Sequence, residues 1–328
     1  MSDEYAGRSP EGNAGLPGAA RRTARDTFPM MDTLGARLGA ACGAAFLWGT
    51  GSLVVNLLVA RHGYHPQSIS FWRFVLGAAS LLLVFGRAMP WRRLAREGAP
   101  LLGAGAVMAS YVLLWFIGIA RIGAAIPTLI ALCLPPVFVT AWALARGRQR
   151  ASVALLGILA ASLAGTALLI VGGGAEGGAR PGATAGDWAW GVAASVGSAL
   201  LYASFTLVSP AISQKWGAGT ATTALTLAAT AVMGLSGLVW PLQLPREATP
   251  EAWLLYLGMV TAALALLAFS WGAAKLSPTA LTVATLVEPL TAVLLAAIFL
   301  GEHLHAAQWL GAALLMGGIW GLSRGEAA

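Results

Sequence analysis

The sequence predicts an all-α integral membrane protein whose ten transmembrane helices form two inverted five-helix repeats. Three observations carry that expectation: a composition too poor in charge for water, ten apolar runs of spanning length, and a match of the chain to itself at one offset. Of 328 residues, 58% are hydrophobic and 10% charged, whereas a soluble domain carries about 25% charged. The few charges cluster between long apolar stretches, so lipid is the solvent for most of the chain.

Crossing about 30 Å of hydrocarbon takes roughly 20 helical residues. Runs of that kind fall near 38–60, 68–86, 99–120, 123–145, 152–172, 188–208, 220–240, 252–273, 277–300 and 306–323. The Arg121–Gly123 corner alone separates the third from the fourth, and the Gly301–His305 stretch the ninth from the tenth, which makes each pair antiparallel neighbours. Residues 1–36, rich in Gly, Pro and Arg, read as a disordered tail. The first apolar run starts too late and runs too long for a cleaved signal peptide, so it is a first span.

A net charge of +7 invites a nucleic-acid partner, but the placement of the charges argues against one. With the N-terminus inside, inner segments hold Arg21, Arg22, Arg25, Arg37, Arg87, Arg92, Arg93, Arg96, Arg146, Arg148, Arg150, Lys215, Lys275 and Arg324. Outer segments hold Arg61, Arg121, Arg180 and Arg246, with Arg73 just inside the second span. That asymmetry places both termini in the cytoplasm of a multi-pass plasma-membrane protein. Cys42 and Cys133 fall inside spans, with no second ligand pattern near them, so neither a disulfide nor a metal site is indicated. His62, His65, His303 and His305 sit in outer loops, as ordinary loop polarity or as weak metal-binding pairs.

A shift of 154 residues lays much of the chain on itself. "LWGTGS" at 47–52 falls on "LYASFT" at 201–206, and "WFIGIAR" at 115–121 on "FSWGAAK" at 269–275. Gly43 falls on Gly197, Pro135 on Pro289, Gly147 on Gly301, and Leu156-Gly157 on Leu310-Gly311. The copies are 38–172 and 188–323, joined by a Gly-rich extracytoplasmic linker at 173–187. Five is odd, so the second copy enters the membrane from the opposite side. Inverted repeats place a substrate site near the midplane and permit alternating access, one bundle rocking against the other.

Glu288 is the residue that most needs a reason. No other acidic or basic residue lies between Lys275 and Glu302, and a charged side chain mid-span costs about 2.5–3.5 kcal/mol. Pro289 follows it, so the Thr285 carbonyl should lose its helical partner and the helix should kink there; Pro135 marks the equivalent place in the first copy. Thr279, Thr282, Thr285, Glu288 and Thr291 recur at every third residue, and three consecutive members share a face. Such a face suits a cavity wall; the alternative is a protonated Glu bonded to a neighbouring helix. Arg73 either snorkels to the outer interface or pairs with Glu288 or a substrate carboxylate. Trp48, Ser52 and Asn56 share one face of the first span, as do Thr222, Thr226 and Thr230 in the seventh. Tyr111 and Tyr202 lie within spans and are further cavity candidates, whereas Trp240, Trp253 and Trp309 read as interfacial belt. Gly35, Gly39 and Gly43 suit helix packing within one chain or a homodimer.

Enzyme signatures such as G-x-S-x-G, H-E-x-x-H or a P-loop lysine do not occur in the spans. At "LWG", Arg73, "LCLPP", "VEPL" and "LGEHL", the sequence resembles the drug/metabolite transporters, specifically ten-span exporters with two EamA-type domains. The resemblance covers residues 38 to 323. It implies a carrier that moves amino acids, related metabolites or drug-like molecules, usually outward, with no cofactor. Glu288-Pro289 and Gly301-Glu302 match the family pattern directly. The first copy departs from it, with Leu134-Pro135 and Gly147-Arg148, which leaves a single mid-span carboxylate. The expected function is a secondary exporter of a small amphipathic molecule, coupled to protons or to exchange. The competing class is a membrane-embedded enzyme acting on a lipid, and a third is a regulatory subunit whose tail recruits a partner.

Overall fold

The computed structural model describes residues 33–122, 125–171, 183–244, 248–300 and 305–325, all helix, turn or irregular chain with no strand among them. The helices are α1 (Leu34–His62), α2 (Pro66–Phe85), α3 (Trp91–Glu97), α4 (Ala99–Ile122), α5 (Ala125–Ala145), α6 (Val153–Val171) and α7 (Ala185–Trp216). There follow α8 (Ala218–Ser236), α9 (Ala248–Tyr256), a π-helical segment (Leu257–Leu264), α10 (Ala265–Ala273), α11 (Pro278–Ala284), α12 (Val287–Leu300) and α13 (Ala306–Gly325). Nine helical stretches among the described residues are long and apolar enough to cross a membrane, and the tenth expected span lies in α13.

Three departures from the sequence expectation have local causes. Residues 91–97, between the second and third expected spans, form the short helix α3, with Leu94 buried and Trp91 exposed. Its Glu97 meets Lys215 at 3.1 Å and Arg93 at 3.5 Å. The hydrogen bond from Lys215 is the main reason the Glu97 carboxyl titrates below the ordinary carboxylate range. Second, α7 runs past 208 to Trp216, through Pro210. It is anchored at its start by a capping box between Thr184 and Asp187. Third, the ninth span is two helices, discussed below.

The packing shows how the copies fit. The closest neighbours of α4 are α7 and α8; their counterparts in the other copy are α10 on α1 and the π segment on α2. In the same way α5 lies on α7 as α12 lies on α1, while α6–α13 and α2–α8 pair equivalent helices directly. Exchanging the copies therefore leaves the pattern unchanged, as a pseudo-two-fold axis requires. The repeats interlock helix by helix among the described residues. On the axis, α6 and α13 touch backbone to backbone: a Cβ added to Gly165 would lie 2.6 Å from the Gly311 carbonyl oxygen. Gly35, Gly39 and Gly43, by contrast, have no atom within 4 Å of where a Cβ would point, so this stripe packs against none of the described residues.

Candidate functional site

The ninth span stops at Ala284, turns at Thr285-Leu286 and restarts at Val287. The expected break is there, but one turn earlier than Pro289. The Thr285 carbonyl is not orphaned as anticipated, because the Glu288 N–H donates to it at 3.1 Å. The threonines of the stripe also satisfy backbone carbonyls. Thr282 donates to the Thr279 carbonyl at 2.9 Å, Thr285 to the Thr282 carbonyl at 2.9 Å, and Thr291 to the Val287 carbonyl at 2.9 Å. These buried hydroxyls bond backbone oxygens, and lipid depth offers no water to do so. Thr226 and Thr230 in α8 do likewise with the carbonyls of Thr222 and Thr226.

Glu288 therefore stands in the first turn of α12, where the positive end of the helix dipole favours a carboxylate. The first helix passes directly over it: a Cβ on Gly49 would sit 2.7 Å from the Glu288 carbonyl oxygen and 2.5 Å from the Thr291 Cβ. Only glycine permits that approach. Glu288 is half-buried and accepts no side-chain hydrogen bond or ion pair from the described residues. Its carboxylate lies within electrostatic reach of Arg73, which comes from α2 in the other copy, and of Tyr111 from α4. Arg73 does not end as a snorkelled side chain would. Its Nε is buried without a hydrogen-bond partner, and its guanidinium stands 5.1 Å from the Phe74 ring centroid.

Aromatic rings complete the cluster. Tyr202 donates to Thr285 Oγ1 at 3.0 Å, which ties α7 to the helix break. Its ring centroid lies 5.0 Å from that of Tyr111. From Tyr111 a row continues through Phe205 at 6.4 Å, Phe269 a further 6.1 Å on, and Trp48 another 5.6 Å away. Trp48 Nε1 donates to the Thr261 carbonyl at 2.9 Å, inside the π segment, so this member faces irregular backbone. The structure thus brings together Arg73, Tyr111, Tyr202, Thr285 and Glu288, with Trp48 at the far end of the row. Pro135 sits in an unbroken α5. The side chain of Asn56, the Gly301-Glu302 pair and most of the 173–187 linker lie outside the described residues. Phe205 and Phe269 were missed; Phe269 could have been found, because the repeat offset lays it on Trp115.

Polar contacts join the copies at both ends of this cluster. At one end Gln243 accepts from Trp72 Nε1 at 2.8 Å, donates from its side chain to the Gly63 carbonyl at 3.1 Å, and donates from its backbone to Ser68 Oγ at 3.1 Å. At the other, Thr279 Oγ1 donates to Gln149 Oε1 at 3.2 Å and stands 3.5 Å from Thr140 Oγ1. No group of three or more metal-ligating side chains occurs among the described residues.

Interlocked helical repeats with a charged, hydroxyl-bearing cluster between them define a class: membrane transport proteins of the inverted-repeat kind. Residues 37–171 and 189–324 each match the EamA-like transporter family. The uncharacterized transporter YwfM of Bacillus subtilis (strain 168) is 31% identical over 283 residues, covering 84% of this chain and 90% of its own. A solved crystal structure superposes with a TM-score of 0.74 over 88% of this chain and 99% of its own; at 19% identity it bears on fold alone. The chain belongs to the EamA-like transporter family, multi-pass membrane transporters of the drug/metabolite superfamily.

Proposed function

We propose that the protein is a secondary exporter of a small amphipathic, amino-acid-like metabolite or drug, working by alternating access in the plasma membrane with both termini cytoplasmic. Transport is coupled to protons or to substrate exchange, and Glu288 is the group that takes up the proton or the substrate's amine. One observation carries this: the carboxylate stands at a helix break, half-buried and without a hydrogen bond or ion pair from the described residues, within electrostatic reach of Arg73, Tyr111 and Tyr202. A buried carboxylate left without a partner is costly unless a ligand or proton completes it. The basic residues at the Lys215 end support the orientation.

The test is Glu288→Gln in proteoliposomes. The variant is expected to insert and elute as the wild type does, with transport reduced by about 100-fold or more, the scale of removing one member of a buried charged set. Undiminished transport would remove Glu288 from the mechanism.

A further inference from the structure

We propose that the groove between α4 and α7 binds an anionic phospholipid, with an acyl chain lying between the two helices and the phosphate at Arg93 and Lys215. The leaflet is the one on the Lys215 side, cytoplasmic in the orientation proposed above; the site stands apart from Glu288 and from the transported molecule. A cavity of about 510 Å³ lies there, within the about 300–1,000 Å³ typical of small-molecule sites. Its lining residues fall between 100 and 107 on α4 and between 204 and 216 on α7, with Glu97 from the end of α3. At 1.5 Å per residue these stretches are about 10 and 18 Å long, and one leaflet contributes about 15 Å of hydrocarbon.

The groove therefore runs from headgroup depth towards mid-membrane. Small side chains, Ala104, Ser204 and Ala211, line it where larger ones would close it. Its floor is apolar and buried at Leu101, Phe205 and Ile212. Its rim is open: Val208 is 44% exposed, and Pro100 and Ala211 are exposed as well. A groove closed below and open at the side, at this depth, meets lipid, so a chain can enter it sideways from the bilayer. The deep end is at Ser204 and Phe205, and Phe205 also belongs to the ring row, 6.4 Å from Tyr111.

The shallow end is polar and positive. Lys215 Nζ lies 3.1 Å and Arg93 Nε 3.5 Å from the same Glu97 carboxylate oxygen. Two cations on one carboxylate leave a surplus positive charge, and Arg92 and Arg96 stand exposed on the same short helix. Glu97 thus holds the cations at the mouth without cancelling them. Lys and Arg at this depth bind phosphate through charge-assisted hydrogen bonds, each favouring an anionic lipid by about fivefold. A choline headgroup is disfavoured, because the Trp216 indole that could take it is already engaged by Arg93 at 4.7 Å and Lys215 at 5.3 Å from its ring centroid. Dissolved phosphate would meet the cations and leave the apolar floor uncovered, whereas a lipid satisfies both.

The test is native mass spectrometry of the purified full-length protein, titrated with palmitoyl-oleoyl phosphatidylglycerol or the matching phosphatidylcholine. Wild type is expected to bind its first phosphatidylglycerol about 10-fold more tightly than phosphatidylcholine. The double variant Arg93→Gln/Lys215→Gln is expected to lose that preference. Ala211→Phe, which fills the groove, is expected to weaken the first copy of either lipid by about 10-fold. Glycerophosphoglycerol, the headgroup without chains, is expected to leave bound lipid in place. Equal wild-type affinity for the two lipids overturns the site, as does displacement by the chainless headgroup. So does a double variant that keeps the preference, or an Ala211→Phe variant that binds phosphatidylglycerol as wild type does. A dimer that Ala211→Phe dissociates overturns it too, since the groove would then hold a second copy of the chain. Should the double variant not elute as a single species, wild-type selectivity and Ala211→Phe decide the matter.

Discussion

Leu134-Pro135 and Glu288-Pro289 occupy the same place in two copies of one unit, yet α5 is continuous from Ala125 to Ala145 while its counterpart stops at Ala284 and restarts at Val287. The third and eighth spans differ the same way: α4 is one α-helix, and its copy carries the π segment. The irregular backbone is concentrated in one copy. A proline by itself does not break a helix at this depth, because every backbone group set free must find a partner within the protein. The second copy has those partners: Ser277 caps α11, and Thr282 and Thr285 bond carbonyls around the break. Between residues 125 and 140 the first copy has only Thr128 and Thr140, and Thr128 already accepts from Trp115 Nε1 at 3.2 Å.

The sharpest way to break this contrast is to move the acid. A Leu134→Glu/Glu288→Leu double variant is expected to lose transport by about 100-fold or more, since Arg73, whose Nε is buried, loses the nearby carboxylate. Measurable uptake in liposomes would mean that the copies are interchangeable and that the break is incidental. A smaller effect separates the prolines. Pro289→Ala returns an N–H that competes for the Thr285 carbonyl and should slow transport about 5- to 10-fold, while Pro135→Ala, in an unbroken helix, should change it by less than about twofold. Equal rates for the two variants would contradict the assignment of function to the second copy. Smallest is Trp48→Phe, which keeps the ring but removes the bond to the Thr261 carbonyl. It should cost about 0.5–1.5 kcal/mol, visible as a few degrees in the melting temperature of the detergent-solubilised protein.

The helices themselves were legible because lipid forces long apolar runs, and each expected run overlaps described helix, the ninth in two pieces. Glu288 and Pro289 were legible for the same reason, as a charge and a missing N–H where neither is cheap. The position of the break was not, since it depends on which hydroxyls rotate onto which carbonyls. A stripe of threonines at every third residue looks alike whether it lines a cavity or satisfies its own backbone. Nor was the burial of the Arg73 Nε, whose end-of-span position gave grounds for reaching outward. Only the folded chain shows its Nε enclosed.

The π segment has a consequence for reading one copy from the other. A π turn holds more residues than an α turn, so the side chains upstream of it point differently from those of an uninterrupted α-helix. Downstream, Phe269 still occupies the place of Trp115. Upstream, the Tyr256 hydroxyl stands 2.6 Å from Thr50 Oγ1. The π segment, Leu257–Leu264, is where that change enters this helix.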